Sequence, residues 1–162
     1  MGGDEWNKIK NVIMKNILLI LMLLFSVISF SQEKDKYGFD YQKKDKEKIF
    51  LPTWNNIFNT VTMPSGIFDQ LMKEYNYEIN NGKYIKNISN IFLSIEKKEN
   101  GIVFYWLSIN INTDVIDDKF SKFFKKTEKS VKIYTISKGA NKVILKIENK
   151  GRIGGYLSFI NE

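Results

Sequence analysis

The pattern of apolar and polar positions divides the chain into three parts. Residues 17–30 read ILLILMLLFSVISF, which is fourteen positions without a charge. Residues 32–49 follow with eleven charged side chains. From residue 50 onward, apolar side chains recur with the periods of amphipathic helices and strands. The pattern therefore predicts an N-terminal apolar segment, a charged lead and a single folded domain over residues 50–162.

The apolar segment has the layout of a secretory signal peptide. Lys15 precedes it, and serines occupy the −3 and −1 positions of a cut before Gln32. A permanent membrane-spanning helix needs about 20 apolar residues, which is more than this segment offers. We therefore predict a signal peptide over residues 1–31, with its hydrophobic region at 17–30 and Met14 as an alternative start. An uncleaved inner-membrane anchor through 17–30 is the alternative, and export to the periplasm or the medium is the expected location.

Two short helices are predicted at the start of the domain. Thr53 follows a proline and can cap a helix, because a threonine hydroxyl accepts a bond from the first helical turn. The next apolar side chains recur at the 0, 3, 4, 7 spacing of one helical face: Trp54, Ile57, Phe58 and Val61. A second helix is predicted over 67–75, after a break at residues 64–66.

A third helix is predicted over residues 114–126. Asp114 can cap it, and two further acids in its first turn suit the positive end of the helix dipole. Its predicted core stripe contains Val115, Ile116, Phe120, Phe123 and Phe124. The charged lead over 32–49 is predicted to be flexible, with at most one short edge strand.

Turn dipeptides predict a mainly antiparallel sheet. Asn81-Gly82 suits a type I′ hairpin turn, and Asn100-Gly101 predicts a second hairpin in which Ile95 faces Trp106. The second strand of that hairpin is apolar on both faces, which predicts a central strand covered on both sides. Three further strands are predicted at 131–137, 142–149 and 153–160. The expected fold class is α+β, with a sheet of about five to seven strands and two or three amphipathic helices packed on it.

Composition limits the chemistry of this domain. The chain contains neither histidine nor cysteine, so catalytic triads, cysteine nucleophiles and histidine metal sites are excluded. A lipid anchor on an N-terminal cysteine is excluded for the same reason. We predict no cofactor, no metal site and no catalytic residue. The net charge of +7 favours anionic partners without selecting among them.

Three motifs suggest chemistry, and each has a simpler structural explanation. Ser94 and Lys97 match an SxxK pattern, but the predicted strand places them on opposite faces. Acids at the start of the predicted third helix are explained by capping: Asp114, Asp117 and Asp118. The glycines of residues 151–155 precede a strand, whereas a phosphate-binding loop precedes a helix.

The leading functional prediction is an exported, non-catalytic binding module. Its expected partner is a protein or an anionic envelope polymer, bound through the sheet or a helix-sheet groove, and nucleic acid is disfavoured by export. One alternative is a small-ligand-binding or enzymatic domain with a pocket lined by Tyr105, Trp106, Phe120 and Phe124. Another is a periplasmic immunity or inhibitor protein, which no residue specifically favours.

Overall fold

The structure, a computed structural model, describes residues 33–138 and 141–162. The predicted signal peptide over residues 1–31 lies outside this part of the chain. Residues 33–162 form one compact unit. Within the described residues, no helix has the length and apolar character needed to cross a membrane.

Strands dominate the described residues. The three helices are α1 (Trp54–Val61), α2 (Ser65–Glu74) and α3 (Asp114–Phe120), the last followed by a 3₁₀ turn at Ser121–Phe123. The strands are β1 (Glu33–Lys34), β2 (Asp40–Lys44), β3 (Glu47–Phe50), β4 (Glu78–Asn80), β5 (Lys83–Ile88), β6 (Ile91–Lys98), β7 (Gly101–Leu107), β8 (Phe124–Glu128), β9 (Val131–Lys138), β10 (Asn141–Asn149) and β11 (Gly154–Asn161).

The predicted fold class, α+β with mainly antiparallel sheet, is confirmed, but there are more strands than predicted. A large sheet of eight strands has the order β4-β5-β6-β7-β11-β10-β9-β8, and a small sheet has the order β1-β2-β3. The large sheet consists of two four-stranded meanders joined where β7 pairs with β11. Short turns link successive strands within each meander, as antiparallel pairing allows.

The core lies between one face of the large sheet and the helices with the small sheet. Phe50 of β3 stacks on Phe104 of β7, with ring centres 6.2 Å apart. Phe68 of α2 meets Tyr84 of β5 edge-on at 5.0 Å. We call this side of the large sheet the core face, and its central side chains are buried: Tyr84, Leu93, Ile95, Phe104, Trp106 and Leu157.

The first helix begins where predicted. Thr53 is its N-cap, and its hydroxyl accepts a bond from the Asn56 backbone N–H. Asn56 is itself fully buried, and its side-chain amide donates to the carbonyl oxygens of Asp40 and Leu51 at 2.7 and 2.9 Å. These hydrogen bonds from the Asn56 amide therefore connect α1 to the small sheet.

The prediction of a flexible lead over residues 32–49 is corrected by the small sheet. Strands β1, β2 and β3 occupy residues 33–50, and Phe39, Tyr41 and Ile49 are buried in the core. The alternation of aromatic and charged residues indicates a strand, and the first half of β2 is buried on both of its faces. The density of lysine and acid hides this signal, although most of the charged side chains are exposed and the buried Asp40 accepts a hydrogen bond from Thr53.

The predicted third helix ends six residues early. It stops at Phe120, and Phe124 begins β8 instead, opposite Tyr134 of β9. Ile116 and Phe120 are buried as predicted, whereas Val115 is 69% exposed and Phe124 is 48% exposed. Pairing with β9 supplies backbone hydrogen bonds that outweigh the local helical preference of this segment.

The second hairpin has a different register from the predicted one. Ile95 pairs with Phe104 and Leu93 pairs with Trp106, so the two-residue turn is Glu99-Asn100. A Cβ atom at Gly101 would lie 2.4 Å from the backbone oxygen of Phe159. Gly101 therefore allows β11 to approach closely and does not form the turn. Because the shift is two residues, every side chain keeps its predicted face.

Candidate functional site

The four residues predicted to line an aromatic pocket do not share one. Trp106 points into the core face and is 1% exposed, while its neighbour Tyr105 lies on the opposite side of β7 and is 39% exposed. Phe120 is buried against Trp54 at 4.9 Å between ring centres. Phe124 packs on Tyr134 at the edge strand β8. Alternation along β7 separates Tyr105 from Trp106, so the predicted pocket is not formed by these residues.

The core beside Trp106 is filled. One cavity that Trp106 lines measures only about 10 Å³. A Cβ atom at Gly155 would lie 2.2 Å from Cζ2 of Trp106, so the indole packs directly on the glycine backbone. Tyr77 and Trp106 both line the cavity, and their buried polar atoms have no partner among the described residues. A space of this size admits one water molecule and excludes an organic substrate.

A larger cleft opens beside the start of α3, with a volume of about 310 Å³. Its lining is polar and comes from the β7–α3 loop, α3 and strands β9 and β10. The lining residues are Asn110, Thr113, Asp114, Asp117, Ser130, Lys132, Ile147, Asn149 and Gly151. The alternative prediction of a ligand-binding or enzymatic domain therefore points to this cleft as its site.

The best-buried charge of this cleft is already paired. The Asp117 carboxylate accepts bonds from Lys132 Nζ at 2.8 Å and from the Tyr134 hydroxyl. Burial, together with the hydrogen bond to Asp117, raises the pKa of Tyr134 well above its usual value. The phenol therefore remains a proton donor. Asp114 forms no side-chain bond within the described residues. The Asp117 pair therefore joins α3 to β9, and Asp114 is the carboxylate of this cleft that such a pair does not hold.

The motifs considered in the sequence have structural roles. Ser94 pairs with Tyr105 and Lys97 pairs with Ile102, which places the serine and the lysine on opposite faces of β6 as predicted. Gly154 has a φ of 146°, and a Cβ atom there would lie 2.3 Å from the Trp106 carbonyl oxygen. Within the described ranges, no group of three acidic side chains is arranged to hold a metal ion.

One buried charge escaped prediction. Lys86 of β5 is 4% exposed, and its ammonium donates to Glu47 at 2.8 Å, to the Lys48 carbonyl at 2.8 Å and to the Tyr75 carbonyl. Three acceptors match the three donors of an ammonium group. Lys86 therefore joins β3 and the end of α2 to the large sheet. The only signal in the sequence is its alternation with Tyr84 and Ile88, both of which are buried.

Among the described residues, apolar side chains are also exposed on the other side of the large sheet, which we call the open face. Its central side chains are Phe92, Val103, Tyr105, Leu107 and Tyr156, and they are half-buried or exposed. Phe92 and Tyr105 meet edge-on at 6.1 Å. The core aromatic contacts from α1, α2 and β3 all reach the core face. The prediction that β7 is central is confirmed, but its open-face side chains remain accessible.

Charges of both signs flank these apolar side chains. Glu96 lies 4.0 Å from Lys83 and 3.4 Å from Lys98, while Glu148 lies 2.9 Å from Lys150. The strand register places Glu96 beside Val103 and Glu148 beside Tyr156, both on the open face. The open face is therefore apolar at its centre and nearly neutral around it.

Comparisons with known proteins offer no further guide to the site. No protein family, no curated protein and no solved structure matches this chain.

Proposed function

We propose that this protein is an exported, non-catalytic binding module that holds a protein partner on the open face of its large sheet. The observation that carries the proposal is the exposure of Tyr105 and Leu107, at 39% and 37%, in the middle of an eight-stranded sheet. Aromatic side chains with apolar neighbours are typical of the centres of protein interfaces.

The dimensions of the open face suit this role. Eight strands about 4.8 Å apart and about seven residues long cover roughly 800 Å². A standard protein interface buries about 800 Å² on each partner. The sheet also supplies a rigid backbone, which lowers the entropy lost when the two surfaces associate.

The charges around the open face favour a protein over an anionic polymer. An anionic polymer would meet no net positive charge here, because Glu96 and Glu148 offset the neighbouring lysines. A protein surface can carry matching charges of both signs. Of the two expected partners, a protein and an anionic envelope polymer, the open face therefore favours a protein.

The interaction is tested by capture from envelope extract of the native host, using a C-terminal tag on the full chain. The variant carries both Tyr105→Glu and Leu107→Glu, and the matched control is Ile67→Glu, which alters a side chain on α2 that is 53% exposed. We expect the wild type and the control to enrich the same partner and the double variant to lose it. Equal capture by all three proteins, or no specific partner for the wild type, would contradict the proposal.

Export is tested separately by the N-terminus of the protein recovered from the host. We expect the recovered chain to begin at Gln32 and to be found outside the cytoplasm, because the peptidase cuts after small residues at −3 and −1. Replacing Leu21 by Arg should leave the intact chain in the cytosol, since a charge interrupts the apolar segment. A full-length wild-type chain in the cytosol would contradict export while leaving the open face to be judged by the capture experiment.

A further inference from the structure

A second exposed surface lies where α1 meets the end of α3, and it differs from the open face. It consists of Trp54, Phe58, Lys119, Lys122 and Phe123, and we call it the lysine–aromatic patch. Phe58 is 59% exposed, and its ring centre lies 6.0 Å from that of Trp54. The buried Phe120 contacts both Trp54 and Phe123, at 4.9 and 6.3 Å, and so joins the rings into one surface.

Two lysines lie directly on these rings. Lys119 Nζ is 4.8 Å from the centre of the Trp54 ring, and Lys122 Nζ is 5.0 Å from the centre of the Phe123 ring. Neither lysine forms an ion pair within the part of the chain that the structure describes. Cation–π contacts hold the ammonium groups at the level of the rings while leaving their charge without an acidic partner.

The sequence that adjoins the patch is rich in lysine. The segment over residues 119–129 contains five lysines and one acid, Glu128, which pairs with Lys126 at 2.5 Å. On the helix itself, Asp114 and Asp118 oppose this charge in part, while Asp117 is held by Lys132 in the polar cleft. The patch therefore combines accessible rings with two lysines that form no ion pair within the described residues.

We propose that the lysine–aromatic patch binds the surface of an anionic lipid bilayer. Tryptophan and phenylalanine prefer the boundary between headgroups and acyl chains, and lysines beside them are attracted to anionic headgroups. Val115 is 69% exposed and lies one helical turn before Lys119, so it extends the apolar surface at the same helix face. A soluble polyanion would use the lysines but would leave Phe58 and Val115 in water, which favours the lipid surface.

The proposal is tested with the chain from Gln32 onward, because the described core and its contacts lie within residues 33–162. Binding is measured by co-sedimentation with vesicles of phosphatidylcholine alone and with about one-third phosphatidylglycerol added. The charge variant carries Lys119→Glu and Lys122→Glu, and its control carries Lys44→Glu and Lys73→Glu. The apolar variant is Phe58→Ser, and its control is Ile67→Ser. Thermal unfolding of each variant confirms that it folds.

We expect the wild type and both controls to bind the anionic vesicles and not the neutral ones. Compared with the wild type, the charge variant should bind the anionic vesicles at least about tenfold more weakly. Phe58→Ser should bind them at least about threefold more weakly. The fluorescence of Trp54 should move to shorter wavelength on binding, because its ring enters a less polar environment.

Three outcomes would overturn the proposal. One is no binding of the wild type to anionic vesicles. Another is equal binding by the charge variant and its control. The third is tighter binding to a single-stranded oligonucleotide than to vesicles with Phe58→Ser unaffected in both, which would identify a polyanion site. All three leave the open face and its protein partner untouched, so the two proposals fail separately.

Discussion

The open face and the lysine–aromatic patch both expose aromatic rings, but their charges differ. On the open face, Glu96 and Glu148 offset neighbouring lysines. On the patch, Lys119 and Lys122 contact rings and form no ion pair within the described ranges. Exposed apolar area alone is therefore a poor guide to a partner, because the charge around it determines which surfaces can approach.

The two regions also differ in their structural support. The open face is the outer side of strands whose inner side forms the core, so its rings sit on a continuous hydrogen-bonded sheet. The patch is assembled from the side chains of α1, α3 and the 3₁₀ turn. Four predictions test the support of the large sheet and its open face, from the largest expected effect to the smallest.

Gly155→Val should destabilise the protein by about 3 kcal/mol. A Cβ atom at this position would lie 2.2 Å from the Trp106 ring and 2.6 Å from the Glu148 carbonyl oxygen, so the strand pair beneath the open face must shift. The free energy of unfolding in urea measures the effect. Gly66→Ala is the control, because it has open space on α2, and alanine there should stabilise by about 0.5 kcal/mol. Unchanged stability of Gly155→Val would mean that Trp106 is not seated on this glycine.

Lys86→Met should cost about 2 kcal/mol of stability, since it leaves the carbonyl groups of Lys48 and Tyr75 buried without a donor. Lys44→Met alters an exposed lysine at the end of the same small sheet and should have little effect. Urea unfolding of both variants gives the comparison. Equal stabilities would show that Lys86 does not join the small sheet to the large one.

Glu47→Gln should flatten the loss of stability in acid. The bond from Lys86, with a weaker contribution from Asn76, lowers the pKa of Glu47 below its usual range. A group whose pKa is lower in the folded state stabilises the fold above its unfolded pKa of about 4.3, and this contribution is lost as the pH falls through the folded value. Urea midpoints between about pH 6 and pH 3 should therefore fall less in the variant.

The control for this pH effect is the same substitution made in the Lys86→Met background. Without the ammonium, Glu47→Gln should change the loss of stability in acid much less, because only the weaker hydrogen bond from Asn76 remains. If Glu47→Gln changes the pH dependence equally in both backgrounds, the pKa of Glu47 is not lowered by its pairing with Lys86.

Leu107→Thr should change stability by no more than about 0.5 kcal/mol, because the side chain is 37% exposed on the open face and threonine suits a strand. Phe104→Ser, on the core face of the same strand, should cost several kcal/mol, about 3 to 5 by analogy with other core aromatic truncations. Urea unfolding compares them. A large loss for Leu107→Thr would indicate that another part of the chain covers the open face.

Local patterns predicted those parts of the fold that local interactions decide. The Thr53 cap, the Asn81-Gly82 turn and the last three strands occur where their residues indicate. Each depends on neighbours within a few positions, such as a capping hydroxyl or a dipeptide that accepts positive φ. The candidate site was predicted less well, because Tyr105 was assigned to a pocket and the lysine–aromatic patch combines side chains from two distant segments.

By itself the sequence determined the class of fold, the absence of histidine and cysteine chemistry, and the faces on which the β6 and β7 side chains lie. Only the tertiary structure decided that β7 pairs with β11, that residues 124–128 leave the helix to pair with β9, and that Lys86 is buried among three acceptors. The physical reason is that pairing between distant strands depends on close approach, as at Gly101 and Gly155, which no local period records. The open face arises in the same way, because a strand apolar on both sides does not reveal which side the helices will cover.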